Sequence, residues 1–229
     1  MNIRGLQKVT VLDYPGLTAC TIFLGGCNFR CPFCHNYDLI DKSEPVGMSE
    51  HDLMTYLKSR TKLLSGVVIS GGEPTVNTGL VDLIKKIKEL GYNIKLDTNG
   101  TKPKIIKELI DKQLVNYIAM DIKNALDKYS ITTNVSHYGE EQILESIDLI
   151  MSSFVNYEFR TTVVKEFHDE EDFHEIGKMI RGAEAYYLQP FVDRPTVHYG
   201  NLHSPSIDDL NRYKEIMDNY VTNCQIRGV

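Results

Sequence analysis

The sequence lacks the features that would assign it to a membrane, to secretion or to nucleic acid. No apolar run approaches the roughly 20 residues that span a bilayer, and the N-terminal segment has no apolar signal core. No basic tract is present and the formal net charge is −6, which argues against nucleic-acid binding. We therefore expect a cytoplasmic protein with no membrane and no nucleic-acid partner.

Cysteine is scarce and unevenly placed. The chain has five cysteines in 229 residues, and Cys27, Cys31 and Cys34 lie within eight residues of one another. Secreted disulfide domains are usually shorter and denser in cysteine, so these thiols are expected to bind a metal instead. Cys20 falls in a predicted strand as a small buried hydrophobic residue, and neither it nor Cys224 is assigned a role.

Repeats, low-complexity segments and linkers are also absent, so we expect one domain over residues 1–229. Short β-branched runs alternate with helical periodicity, which is typical of an α/β fold with a parallel sheet. Six strand–helix units are predicted. Because eight units would close a TIM barrel, six indicate a partial (β/α)6 barrel of the TIM type that is open on one side. The predicted strands span residues 18–25, 66–70, 92–98, 115–121, 157–164 and 185–189.

Polar and glycine-rich residues follow or close several of these strands. In such sheets, functional groups gather at the carboxyl ends of the strands. We therefore expect the residues at these ends to form one site. They are Cys27, Gly71, Asp97, Asp121 and Gln189.

The spacing Cys27-x3-Cys31-x2-Cys34 is the sharpest chemical signal. Soft thiolate ligands favour iron–sulfur clusters, zinc or copper(I). Structural zinc needs four ligands, and either His35 or Cys224 could supply the fourth. A four-iron four-sulfur cubane held by three cysteines keeps one iron open for a small molecule, and we favour this interpretation over zinc.

The segment FLGGCNFRCPFCHN, residues 23–36, resembles the cluster loop of the radical S-adenosylmethionine (SAM) superfamily. Its CHN ending resembles the activating enzymes of glycyl-radical enzymes, and LDYPG at 12–16 resembles the group that activates anaerobic ribonucleoside-triphosphate reductase. The resemblance covers about residues 12–190. It implies a radical SAM domain in which the open iron chelates the methionine part of SAM. An electron from the cluster then cleaves SAM to give a 5′-deoxyadenosyl radical.

Two turns gain a role from this resemblance. Gly71-Gly72-Glu73 follows a strand and resembles the family's GGE motif, which binds the amino group of SAM. Asp97 and Asn99 close the next strand, and the resemblance places them near the cofactor. By themselves these would be an ordinary glycine turn and a polar Asn-Gly turn.

Three charged residues follow the same logic. Asp121 and Lys123 resemble the D-x-K motif of the activating enzymes, which implies that Lys123 meets the SAM carboxylate. The resemblance also places Asp97 and Asp121 toward the cofactor, with a monovalent cation between them and the ligand. Arg160 lies in an apolar strand, where an unpaired charge is costly. It is expected either to reach the cofactor or to pair with a neighbouring acid.

The remaining candidate cofactor residues are aromatic or neutral. Phe33 could pack on adenine or only cap the core, and His35 belongs to the CHN ending. Gln189 could bond the ribose or the adenine. The pyruvate formate-lyase activating enzymes carry a histidine just after this strand, and Val192 stands there in this sequence, so ribose contacts of that type are not expected.

These features together indicate an activase that removes a hydrogen atom from a glycine of a glycyl-radical protein, with anaerobic ribonucleotide reductase as the expected partner. The sequence has no second cysteine cluster, so an external flavodoxin or ferredoxin is expected to supply the electron. Two alternatives remain at this point. One is a small-molecule radical SAM enzyme similar to 7-carboxy-7-deazaguanine synthase, and the other is a non-catalytic zinc or electron-transfer module.

Overall fold

The computed structural model describes residues 1–41 and 46–228, and their strands form one sheet whose order follows the chain. The first strand pairs antiparallel with the second, and every later pairing is parallel. The strands are β1 (Ile3–Thr10), β2 (Ala19–Leu24), β3 (Gly66–Gly71), β4 (Asn93–Thr98), β5 (Tyr117–Asp121), β6 (Asn156–Val163), β7 (Tyr186–Pro190) and β8 (Cys224–Ile226).

Seven α-helices connect and flank the described strands. The N-terminal caps are local: Ser49 accepts the Asp52 N–H before the first helix, and a full capping box formed by Ser206 and Asp209 precedes the last. The helices are α1 (Glu50–Arg60), α2 (Leu80–Glu89), α3 (Pro103–Asp111), α4 (Tyr129–Thr133), α5 (Glu140–Met151), α6 (Glu170–Met179) and α7 (Ile207–Met217). None of them, among the described residues, has the length and apolar character that crossing a bilayer requires.

The prediction of an open, partial parallel barrel is confirmed, with two additional strands. The six predicted strands correspond to β2–β7, with bounds that differ by a few residues. Strands β1 and β8 lie at opposite ends of the sheet order, and within the described residues no pairing joins them. Sequence patterning missed β1 because most of its side chains are half-buried or exposed, with the polar Gln7 and Lys8 among the exposed ones. It missed β8 because three residues are too few to show a period.

The two faces of the sheet differ in chemistry. Ile94 and Leu96 of β4 belong to the apolar core, which the helices complete with residues such as Ile84 of α2. The alternate residues Lys95 and Asp97 share the other face, which lines the interior of the barrel. The barrel interior is therefore charged, and its open end lies at the carboxyl ends of the strands.

Candidate functional site

A cleft at the carboxyl edge of the sheet brings together the residues that the motifs predicted. Cys27, Cys31 and Cys34 line it. Ten of the eleven predicted cofactor residues line it as well: Phe33, His35, Gly71, Gly72, Glu73, Asp97, Asn99, Asp121, Lys123 and Arg160. Gln189 is not among the lining residues. Its backbone pairs beside Thr162, so the proposed contact with ribose or adenine stays a prediction.

Backbone hydrogen bonds fix the cysteine loop in place. Cys27 N–H donates to the carbonyl of Ile40 at 3.2 Å, and Arg30 N–H donates to Thr133 at 2.9 Å. Glu73 N–H donates to the carbonyl of Gly26 at 2.8 Å, which joins the loop to the glycine turn after β3. A Cβ at Gly72 would collide with that same carbonyl, so the turn can approach the loop only with glycine there.

Cys31 is buried, and Cys27 and Cys34 are half-buried. Burial raises the pKa of Cys27 to about 12 and that of Cys31 to about 11. The pKa of Cys34 is also raised by burial. The thiols of the metal-free chain are therefore protonated at neutral pH, and metal binding must release protons. Three thiols beside an open cleft are the donor set of an iron–sulfur cluster with one unligated corner.

The zinc alternative is not favoured by the geometry. Within residues 1–41 and 46–228, no three His, Cys, Asp or Glu side chains are arranged to hold one metal ion. A cubane differs from zinc because each cysteine binds a different iron. Of the two proposed fourth zinc ligands, Cys224 lies away from the cleft, because it pairs beside Tyr186 at the amino end of β7. His35 lines the cleft, and its Nε2 lies 2.7 Å from the carbonyl of Val192.

Glu73 is completely buried and serves as a hydrogen-bond acceptor for two loops. Oε1 accepts the N–H of Thr75 at 3.1 Å, the Thr75 hydroxyl, and the Thr98 hydroxyl at 2.8 Å. Oε2 accepts the N–H of Asn99 at 2.6 Å. Burial raises the pKa of Glu73, although these four donors act in the opposite direction. The carboxylate therefore joins the GGE turn to the loop after β4, a contact that the motif did not predict.

The D-x-K motif and Arg160 form one half-buried charge network. Asp121 Oδ1 accepts from Arg160 Nε at 2.8 Å, and Asp121 Oδ2 accepts from Lys123 Nζ at 3.0 Å. Burial alone would raise the pKa of Asp121, but these two cations hold it well below its usual range. Arg160 thus pairs with an acid, which was one of its two predicted roles. It also lines the cleft, where its contact with the cofactor stays a prediction.

Asp97 belongs to the same network. Lys95 Nζ lies 2.8 Å from its Oδ1, and Arg160 Nη1 lies 3.7 Å from the same oxygen. Burial opposes ionisation of Asp97, but the two cations leave its pKa below the usual value. Both carboxylates are therefore ionised at neutral pH, and each has at least one cationic partner.

Aromatic side chains line the side of the cleft near the cysteines. Phe33 is buried, and its ring centroid lies 6.0 Å from that of Phe167. Phe33 therefore covers the core, which was one of its two expected roles. The His35 ring stacks on Phe191, with centroids 5.8 Å apart. His35 thus attaches the cysteine loop to the segment after β7, which includes Val192.

The sequence did not predict three residues that form hydrogen bonds with the backbone or side chains of the site. Asn36 Nδ2 donates to the carbonyl of Gly71 at 3.0 Å, and Asn28 joins Asn99 and Thr101 through side-chain hydrogen bonds. His168 is buried, and its Nε2 lies 3.0 Å from the carbonyl of Lys123. Asn28 lies within the cysteine motif and Asn36 follows it, which was the available signal, whereas the position of His168 depends on tertiary packing alone.

Comparison with known proteins gives a consistent result. The model of the radical SAM superfamily matches residues 21–180. The chain is 34% identical over 233 residues to a candidate glycyl-radical enzyme activating enzyme of Methanocaldococcus jannaschii, covering 99% of this chain and 96% of that protein. It is 29% identical over 202 residues to the pyruvate formate-lyase 1-activating enzyme of Escherichia coli strain K12, covering 83% of this chain and 80% of that protein.

Solved structures share the fold at low sequence identity. SuiB of Streptococcus suis bound to S-adenosylmethionine matches with a TM-score of 0.66 and 16% identity, covering 89% of this chain and 48% of SuiB. TYW1 with a lysine–pyruvate adduct bound matches with a TM-score of 0.63 and 16% identity, covering 88% of this chain and 73% of TYW1. These similarities support the partial barrel fold.

Proposed function

Because the chain belongs to the radical SAM superfamily, we propose that it is an activating enzyme that generates a glycyl radical on a partner protein. The observation that carries the proposal is the cleft itself. The three-cysteine loop, the GGE turn and the D-x-K motif converge on one cavity at the carboxyl edge of the sheet. Similarity to a candidate glycyl-radical enzyme activating enzyme over 99% of the chain supports the specific activity.

Family membership implies a four-iron four-sulfur cluster and SAM. The residues present fit both groups, with Cys27, Cys31 and Cys34 as the cluster ligands. When bound, the cluster and SAM supply an electron and a 5′-deoxyadenosyl radical, and the protein positions them. We take residues 1–229 as one radical SAM domain, since the main apolar core of the described residues includes side chains from every strand from β1 to β8.

The charged side chains of the cleft bind and orient the ligand. Lys123 Nζ is held by Asp121 at 3.0 Å, and Asp121 is held in turn by Arg160. These contacts fix the position of the Lys123 ammonium group at the wall of the cleft. Because the Lys123 side chain is only 15% exposed, a charge-assisted contact with the SAM carboxylate is stronger there than in open water. Glu73 fixes the GGE turn and the Asn99 loop relative to each other, which sets the width of the site.

The acceptor of the radical is a protein glycine in this proposal. The chemistry supplied there would move one hydrogen atom from the glycine Cα to the 5′ carbon of the deoxyadenosyl group. One C–H bond would break, one would form, and the unpaired electron would then be on the glycine. The open side of the barrel suits a flexible loop of the partner. The CHN and LDYPG segments favour anaerobic ribonucleotide reductase as that partner. The lack of a second cysteine cluster in the sequence favours an external flavodoxin or ferredoxin as the reductant.

The proposal is tested by incubating the reduced, reconstituted enzyme with SAM and the anaerobic ribonucleotide reductase of the source organism. We expect a stable glycyl radical signal by electron paramagnetic resonance, and none from a reductase whose radical glycine is changed to alanine. Turnover of a small molecule without a radical on any glycyl-radical protein of that organism would instead support the small-molecule alternative, which the comparisons do not favour.

A further inference from the structure

Lys95 is a lysine in the interior of the barrel, directly beneath the cleft. Its side chain is 3% exposed, and its Nζ lies 2.8 Å from Asp97 Oδ1 and 5.9 Å from the centre of the Tyr117 ring. Burying an ammonium group is costly unless a paired charge compensates it. The Lys95 ammonium group is therefore stabilised by an ion pair, and Asp97 is its partner.

Within the ion-pair network of Asp97 and Asp121, the charges are nearly balanced by side chains alone. Glu73 lies outside this network, because its carboxyl oxygens accept hydrogen bonds from Thr75, Thr98 and Asn99. Asp97 and Asp121 face three cations: Lys95, Lys123 and Arg160. One positive charge is left over, which suits one ligand carboxylate.

The nearby Glu158 does not change this balance, because Arg227 neutralises it. The Arg227 guanidinium donates to both carboxylate oxygens of Glu158 at 2.9 Å and stacks on a tyrosine ring. The Arg160 guanidinium lies 3.9 Å from Glu158 through Nη1, compared with 3.7 Å from Asp97 through Nη1 and 2.8 Å from Asp121 through Nε. The excess positive charge therefore stays next to Asp97 and Asp121.

A monovalent metal ion between Asp97 and Asp121 would add a second positive charge to this group. It would compete with the Lys95 ammonium for Asp97 Oδ1 and would lie close to the Arg160 guanidinium. Repulsion between like charges is strong where water is largely excluded. The side chains present do not fit such an ion.

We propose that the ammonium group of Lys95 takes the place of a monovalent metal cation at Asp97, so that SAM binding by this protein needs neither Na⁺ nor K⁺. The inference rests on the proposed function only in taking SAM as the ligand. It makes Lys95 a positioning residue, which acts on SAM through Asp97 and Arg160. It also distinguishes this protein from any relative that carries an uncharged residue two positions before the same aspartate.

The test measures the Kd for SAM of the reconstituted protein with tetramethylammonium as the only monovalent cation, and then with Na⁺ or K⁺ at equal ionic strength. For the wild type we expect a change below about twofold. For Lys95→Met we expect binding at least about tenfold weaker in tetramethylammonium and substantial recovery with Na⁺ or K⁺. The matched control is Lys107→Met, which removes an exposed lysine–aspartate pair and is expected to behave as the wild type.

The outcomes separate this inference from the proposed function. Wild-type binding that is tight only with Na⁺ or K⁺ overturns the inference and leaves the activase proposal intact. Failure of the wild type to bind SAM in every buffer overturns both. Cation-independent SAM binding without any glycyl radical product supports the inference and removes the proposed function. The wild-type comparison decides even if Lys95→Met does not fold, and Lys95→Gln provides a second variant.

Discussion

Glu73→Gln is the substitution whose effect can be worked out most closely from the structure. Gln has the same shape as Glu but replaces one carboxylate oxygen by an NH₂ group, which cannot accept a hydrogen bond. Oε1 has three donors and Oε2 has one, so the amide nitrogen is expected to take the Oε2 position. The N–H of Asn99 then loses its acceptor inside the protein.

The magnitude follows from that single orphaned donor. A buried donor without a partner costs about 1–3 kcal/mol. Burial raises the pKa of Glu73, so the neutral amide recovers part of this loss by removing a buried charge. We expect Glu73→Gln to lower the free energy of unfolding by about 1–2 kcal/mol. For a chain of this size that corresponds to a decrease of roughly 2–8 °C in Tm.

The assay is anaerobic thermal unfolding of the reconstituted protein, followed by circular dichroism, together with the Kd for SAM. The control is Glu50→Gln, because Glu50 forms a solvent-exposed pair with Lys86, and such pairs contribute little to stability. A Glu73→Gln variant as stable as the wild type would refute the structural role of the carboxylate. If SAM binding were lost at unchanged stability, Glu73 would instead act by direct contact with the ligand.

Three further predictions concern the cluster, the ligand and pH. Changing Cys27, Cys31 or Cys34 to Ala is expected to abolish the binding of about four irons on anaerobic reconstitution. The controls Cys20→Ala and Cys224→Ala are expected to retain the iron. Stoichiometric zinc without iron in the wild type would contradict this prediction. Lys123→Ala is expected to weaken SAM binding at least about tenfold in calorimetry with an unchanged cluster spectrum, and Lys107→Ala is the exposed control. Burial lowers the pKa of His168, so its contribution to stability is present above about pH 6.5 and is lost as pH falls through the lower folded-state pKa. Urea unfolding of His168→Gln should therefore show a flatter decline toward acid than the wild type, and parallel curves would count against a buried neutral imidazole.

The sequence predicted the parallel part of the fold because its local signals agree with the tertiary structure. Apolar β-branched runs such as Val67–Ile69 are buried on both faces, and the amphipathic helices between them carry apolar residues at helical spacing. Strand β1 gave no such signal, because its pairing with β2 depends on an edge position that leaves most of its side chains half-exposed or exposed. Strand β8 forms only because the end of the chain returns to β7.

The residues of the candidate site were predictable where a motif has fixed spacing. The cysteines, the GGE turn and the D-x-K pair come from such motifs, and the structure brings them to one cleft. The roles of Lys95 and His168 were not predictable in this way. Lys95 has the sequence environment of an ordinary strand residue, and His168 that of a loop residue. Their contacts arise only when separate strands and turns pack together.

The central claim is the transfer of a hydrogen atom from a protein glycine, and one isotope measurement tests it most directly. The partner reductase is prepared with glycine deuterated at Cα and incubated with the reduced enzyme and unlabelled SAM. Mass spectrometry of the recovered 5′-deoxyadenosine should then show one added deuterium, in proportion to the glycyl radical formed. Recovery of 5′-deoxyadenosine without deuterium, alongside a normal rate of SAM cleavage, would contradict the account.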